Sequence, residues 1–190
     1  MYTNHIKNYI PKNEFEAQDK KIMLELIERY KNNILTRENE IAHLTASGFI
    51  LNEKLDKVLM VYHNLYDSWG WTGGHADGDE DLLSVAVKEA KEETGVQNFK
   101  LPSKCPLSLE ILPVWSHYKT KKPISSHLHL NVTYLLLADE SEQLSIKADE
   151  NSGVRWISVD EIDKYCTEPS MMPIYKKLVE ATKNIIIPEA

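Results

Sequence analysis

The chain has 190 residues, 42% hydrophobic and 27% charged, with a formal net charge of -7. That length holds one domain with a sizeable core plus an extension, and the acidic balance argues against a general binder of nucleic-acid duplexes, which would be basic. A small phosphorylated substrate stays open, because bound metal can reverse the local charge.

Residues 1–40 read as an N-terminal helical extension, and 41–190 as the main domain. Phe15, Ile22, Leu26, Ile27, Tyr30 and Ile34 follow helical spacing, which predicts an amphipathic helix over 14–33. Its apolar stripe has to pack on the domain, on a second subunit (which leaves a homodimer open) or over a substrate. From Ile41 the period becomes that of strands. Residues 42–51 and 57–63 (KVLMVYH) read as strands joined through a polar turn at 52–56, hence a hairpin. Trp69, Gly70 and Trp71 follow, and these tryptophans either anchor the core or flank a bound base or sugar.

The stretch 73–96, GGHADGDEDLLSVAVKEAKEETGV, leads from two glycines through a charged loop into a helix. Gly95 ends that helix, since a glycine just past the last turn takes the left-handed conformation at low cost. At about 100° per residue, Glu89, Glu92 and Glu93 share one arc, while Leu83, Ala86, Val87, Ala90 and Thr94 form a neighbouring face that can pack on a core. Three carboxylates so close repel one another unless a cation sits among them, and hard divalent ions want such oxygen ligands. From these glutamates alone a solvated acidic face is the favoured reading.

Residues 107–114 and 128–137 read as strands. On the second, His127, His129, Asn131 and Thr133 share one face and Leu128, Leu130, Val132 and Tyr134 the other. The polar face is either a solvent-facing edge or the lining of a cleft. Residues 120–126 (TKKPISS) read as a lysine-bearing surface loop, and 145–156 as an acidic loop before a short strand at 154–157. A helix starts at 160–164 and another spans 171–184, with Ile174, Leu178 and Ala181 inward. Cys105 and Cys166 form no CxxC pair or zinc spacing, and two thiols in such a chain read as a reduced cytoplasmic protein. The first residues lack an apolar signal core, and no apolar run approaches a membrane span.

The run from Gly74 to Val96 resembles the Nudix box, Gly-x5-Glu-x7-Arg-Glu-U-x-Glu-Glu-x-Gly-U, with U a bulky aliphatic. Gly74, Glu80, Glu89, Glu92, Glu93, Gly95 and Val96 are in register. The six fixed Gly and Glu positions would agree by chance about once in 10⁷ start points, which sets the pattern apart from an ordinary acidic helix. Lys88 stands where the family has Arg, and Ala90 where it has a larger aliphatic. Lys keeps the charge but not the two-pronged grip of Arg on a carboxylate.

The resemblance implies an α/β/α sandwich around a mixed sheet, and a hydrolase that cleaves a pyrophosphate linkage in a nucleotide or ADP-ribose-like substrate. It implies that Glu89, Glu92 and Glu93, with the Gly74 carbonyl, hold Mg²⁺ or Mn²⁺, that Lys88 and Gly95 are structural, and that Glu80 is structural or a remote ligand through water. Glu92, Glu93 or Glu150 is the implied general base, with Asp149 second to Glu150 in its loop. It favours a cleft lined by His127, His129 and Asn131, to which Trp71 is a candidate addition. Pro113 and Trp115 lie in the region where subfamilies differ, and they leave the substrate open. Two alternatives share the fold. An isopentenyl-diphosphate isomerase needs a catalytic cysteine that neither Cys105 nor Cys166 matches, and a non-catalytic nucleotide sensor has no need of all three glutamates.

Overall fold

Alternating apolar residues draw seven of the nine strand segments into one mixed sheet, and the other two pair as a separate ribbon. In the computed structural model, which describes residues 2–119, 121–183 and 185, the strands follow in chain order. They are β1 (Ala42–Asn52), β2 (Lys57–His63), β3 (Ser68–Gly70), β4 (Thr72–His75), β5 (Ser108–Val114), β6 (His117–Lys119), β7 (Lys122–Ile124), β8 (His127–Ala138) and β9 (Asn151–Ser158). The main sheet runs β3-β2-β1-β8-β5, with β4 along β1 and β9 along β2. β1 and β8 are parallel, from Ala42 opposite Leu128 to Asn52 opposite Ala138, and the remaining named pairings are antiparallel.

Helices cover both faces, which makes the expected sandwich. On one face Leu44, Ala46 and Ile50 of β1 and Leu130, Val132, Tyr134 and Leu136 of β8 meet α3 (Leu82–Thr94), α1 (Tyr2–Asn8) and α2 (Glu14–Tyr30). Ala90 fits this contact because β1 carries Gly48 beneath it, where an added Cβ would lie 3.6 Å from the Ala90 Cβ. On the other face Phe49, Leu51, Val58, Met60, Leu135 and Leu137 meet α4 (Ile162–Tyr165) and α5 (Met172–Thr182). That second face is apolar only at this end. Towards the start of β1 and β8 it carries His43, Thr45, Ser47, His129, Asn131 and Thr133, by the two-residue period of a strand. β8 is an interior strand, so its polar face is not a sheet edge.

The N-terminal segment keeps most of the apolar stripe expected of it, with Ile27 and Ile34 buried and Leu26 and Tyr30 packed against the core, and departs from it at its start. There the inward residue is Glu16, whereas Phe15 is 86% exposed. The helix stops at Tyr30, a 3-10 turn continues over Lys31–Leu35, and α1 adds buried Tyr2 and Ile6 ahead of it. The physical reason is its neighbour: α2 lies along the edge strand β5, whose backbone wants acceptors. Glu16 takes the Leu109 N–H at 3.1 Å, and Asp19 takes the Ile111 N–H at 3.1 Å. Pro113, next in the same alternation, has no N–H to offer.

Glu16 is also the hub of a buried ion group. Lys177 of α5 reaches Glu16 at 3.0 Å and Glu110 at 2.9 Å, and the Tyr9 hydroxyl donates to Glu16 at 2.7 Å. Burial alone would raise the Glu16 pKa, but hydrogen bonds from the Lys12 backbone, Tyr9 and Lys177 hold it below its ordinary value.

Smaller differences follow from long-range packing. The inner side of α5 adds buried Tyr175 and Thr182 to the expected Ile174, Leu178 and Ala181, and the Tyr175 ring meets Trp71 edge-on at 5.6 Å. The expected loop at 120–126 holds strand β7, which pairs with β6, and β9 starts earlier than expected, at Asn151. Thr120 and Asn184 lie outside the described residues. Cys105 is exposed, Cys166 is buried, and both are free. No helix among the described residues is long and apolar enough to cross a membrane.

Candidate active site

The box loop and helix are placed by local chemistry. Asp81 caps α3, its carboxylate accepting the Ser84 N–H at 3.1 Å, and Gly95 closes the helix at φ 80° with its N–H donated to the Lys91 carbonyl. At the other end of the box, β4 lies antiparallel to β1, with Gly74 opposite Ala46. Gly74 carries no side chain where the Glu89 carboxyl sits: an added Cβ would come within 2.5 Å of its carbon.

This brings Glu89 and Glu93 together, and Glu150 joins them from the loop ahead of β9. Carboxylate oxygens of the three lie within 4.8 Å of one another. Glu93 is 1% exposed; one of its oxygens accepts the Gly73 N–H at 2.9 Å, and the other has no hydrogen-bond partner among the described residues. Burial, reinforced by the Glu89 and Glu150 charges, pushes the Glu93 carboxyl up to about 8. Burial likewise raises Glu89.

Glu92 lies at the rim of the group, 40% exposed in its side chain, with its carboxylate on Lys147 at 3.0 Å. Lys147 also reaches Glu150 at 3.1 Å and stands 4.0 Å from Glu89. That ammonium is the site residue that sequence reasoning missed. Burial alone would lower its pKa, but its hydrogen bonds to Glu150 and Glu92 hold it above the usual lysine value, and the same contact lowers Glu92. Asn151, buried beside it, donates to the Glu93 carbonyl at 3.1 Å and accepts the Lys147 backbone N–H, so the loop is tied to the box helix.

The other predicted positions are spread out. Lys88 is an exposed side chain 3.8 Å from Glu89 and 3.7 Å from Glu92, too far for a hydrogen bond to either. Glu80 is exposed in the loop before α3, and Asp149 is exposed beside Glu150. Trp71 is buried in the second core, its backbone N–H donated to the Tyr175 hydroxyl at 3.1 Å. Asn131 is buried too. It accepts from Thr45 at 3.0 Å and Ser47 at 2.9 Å and donates to Glu110 at 3.2 Å, so its amide is engaged within the sheet.

His127 and His129 belong to a group of imidazoles on that same sheet face, together with His43 of β1 and His75 of β4. Burial and then the neighbouring imidazoles hold His129 down at about 2, and burial lowers His43, so both rings are neutral.

The family is decided by comparison with known proteins, where the NUDIX domain model matches residues 42–180. The chain belongs to the Nudix family. As a Nudix enzyme it is a pyrophosphohydrolase. Among curated Nudix relatives, it is 27% identical over 128 residues to a "Probable DHNTP pyrophosphohydrolase" of Lactococcus lactis subsp. cremoris, covering 67% of this chain and 74% of that protein. It is 26% identical over 122 residues to a "CMP-5'-(N-acetyl-N-hydroxy-3-aminopropyl)phosphonate hydrolase" of Streptomyces rubellomurinus, covering 61% of this chain and 52% of that protein. The chain thus spans about half the length of that second relative. A C. elegans Ap4A hydrolase shares the fold, with a TM-score of 0.53 at 18% identity, covering 72% of this chain and 95% of that one. So does a NUDIX-family hydrolase from Clostridium perfringens, with a TM-score of 0.51 at 23% identity over 74% and 98% of the two chains.

Proposed function

We propose that this Nudix enzyme hydrolyses a pyrophosphate linkage in a nucleotide or in a nucleoside diphosphate linked to another group, using Mg²⁺ or Mn²⁺. The observation that carries the reading is the Glu93 carboxyl. It is buried, bonded through one oxygen only, and grouped with Glu89 and Glu150. A buried carboxylate with a spare oxygen is costly unless a proton or a cation completes it, so the residues present fit a hard divalent ion.

Glu89 and Glu93 with the Gly74 carbonyl would hold that ion, with Glu92 at the exposed rim. When bound, it supplies charge neutralisation at the phosphates and lowers the pKa of attacking water. Glu150, part-exposed on its loop, is the carboxylate best set to take a proton from that water. Of the expected substrate contacts, Trp71 and Asn131 are engaged in the fold, which leaves the part-buried pair His127 and His129. The setting in keeping with two free cysteines is the cytoplasm.

The test is product analysis across nucleoside triphosphates, dinucleotides, ADP-ribose, sugar nucleotides and DHNTP, with Mg²⁺ or Mn²⁺ present. Metal-dependent release of a nucleoside monophosphate or pyrophosphate from one class is expected, reduced at least ~100-fold by Glu89→Gln. Binding of a nucleotide without turnover of any compound would overturn the reading in favour of a sensor.

A further inference from the structure

Four histidines converge on the polar half of one sheet face although they come from three strands and are scattered in sequence. The register explains it. His43 of β1 sits opposite His129 of β8, and His75 of β4 sits opposite Thr45, one step along the same face of β1. The His43 and His75 rings are 5.0 Å apart, His43 and His129 5.0 Å, and His75 and His129 4.8 Å. One potential ligand nitrogen from each of these three lies within 4.8 Å of the others. His127 stands at the rim, its Nε2 3.2 Å from that of His129.

A second observation points into the cluster. His43 is 4% exposed, and its Nδ1 lies 3.0 Å from the Asn39 carbonyl oxygen. A carbonyl only accepts, so Nδ1 carries the hydrogen and Nε2 is left with its lone pair. That Nε2 is buried and has no hydrogen-bond partner among the described residues. A backbone carbonyl that orients one ring nitrogen while the other offers its lone pair is the arrangement found around histidines that bind metals. His127 is held in the same way, its Nδ1 2.8 Å from the Ser125 carbonyl oxygen.

We propose that His43, His75 and His129 form a transition-metal site of the Zn²⁺ class, separate from the glutamate cluster. Imidazole nitrogens suit Zn²⁺ and its neighbours, whereas Mg²⁺ takes oxygen. Zn–N bonds of about 2.0–2.1 Å set tetrahedral ligand nitrogens about 3.3 Å apart, a contraction that side-chain rotation can supply at part-exposed His75 and His129. Three protein ligands leave a fourth position for water or a phosphate oxygen. The site lies one residue from the box, because Gly74 faces Glu89 and His75 turns to the opposite side of β4. A zinc site here stands whether or not the chain hydrolyses a nucleotide.

The test strips the full chain with chelator, reloads it with Zn²⁺, removes free metal and measures bound zinc by mass spectrometry. Wild type and the Glu89→Gln/Glu93→Gln double variant are expected to keep about one Zn²⁺ per chain, and His129→Gln and His75→Gln to lose it. Because a substitution could unsettle the sheet, Co²⁺ is loaded into the wild type as a second readout, where an intense visible band of four-coordinate Co²⁺ held by three imidazoles and one oxygen is expected. Zinc retained in full by the histidine variants, zinc lost with the glutamates, or a wild type with neither zinc nor the cobalt band would overturn the site.

Discussion

The Lys147 ammonium lies 3.0 Å from the Glu92 carboxylate, reaching it from a loop more than fifty residues further along the chain. Through Glu150 and Glu89 it answers the repulsion among three carboxylates with an internal cation. A divalent ion held at Glu89, with Glu92 at its rim, has to displace that charge. Lys147→Ala is therefore expected to bind Mg²⁺ or Mn²⁺ about fivefold more tightly, on the order of 1 kcal/mol, while the metal-free protein loses stability. Calorimetric titration measures the first and thermal unfolding the second; weaker metal binding in the variant would contradict the displacement.

The Glu93 carboxyl makes metal-free stability depend on pH. Its folded pKa of about 8 lies above the 4.5 of an ordinary glutamate, so the folded state holds the proton through a range where the unfolded chain releases it. Its contribution to stability is fully present below pH 4.5 and is lost as pH rises towards 8. Melting temperature in chelator is expected to fall by a few degrees between about pH 5 and pH 8 in the wild type, more shallowly in Glu93→Gln, and to recover on adding Mg²⁺ at the upper end. Parallel profiles for the two proteins would show that Glu93 is not the source.

Lys177 separates two buried carboxylates, Glu16 and Glu110. Removing it leaves both charges without their cation in the interior. Lys177→Met is expected to cost about 3–5 kcal/mol in urea unfolding, because breaking a buried pair from one side strands the other charge. Adding Glu110→Gln to it should return part of the loss, and a double variant no more stable than the single would argue that the lysine acts only through packing.

Lys88, at the position of the family's arginine, is exposed and hydrogen-bonded to neither neighbouring glutamate. Lys88→Ala is expected to change stability by less than about 0.5 kcal/mol, as exposed pairs contribute little. Lys88→Arg can form a two-pronged bond to Glu89 or Glu92 and should raise metal affinity or turnover several-fold. Equal affinity and turnover for the wild type and Lys88→Arg, assayed side by side, would mean the fork has no target here.

Residue spacing made the box helix legible, because its glutamates and its stop at Gly95 are local. Strands β1, β2, β5 and β8 were legible from alternation for the same reason. The period-two reading of β8 also separated His129 and Asn131 from Leu130 and Val132. What could not be read depends on register between distant segments. Nothing near His43 or His75 marks them as neighbours of His129, and Lys147 reads as an ordinary loop lysine. Phe15 misled because a helix template assumes an apolar partner along the whole helix, whereas the start of α2 faces backbone donors that Glu16 and Asp19 satisfy.

The treatment of β5 has a consequence for assembly. With Leu109 and Ile111 bonded to α2 and Pro113 lacking an N–H, that margin of the sheet offers no run of free donors to an incoming chain. Recruitment by strand addition is closed there, for a second copy and for a foreign peptide alike. A deletion that removed α2 would expose those donors and turn a finished border into a template for aggregation.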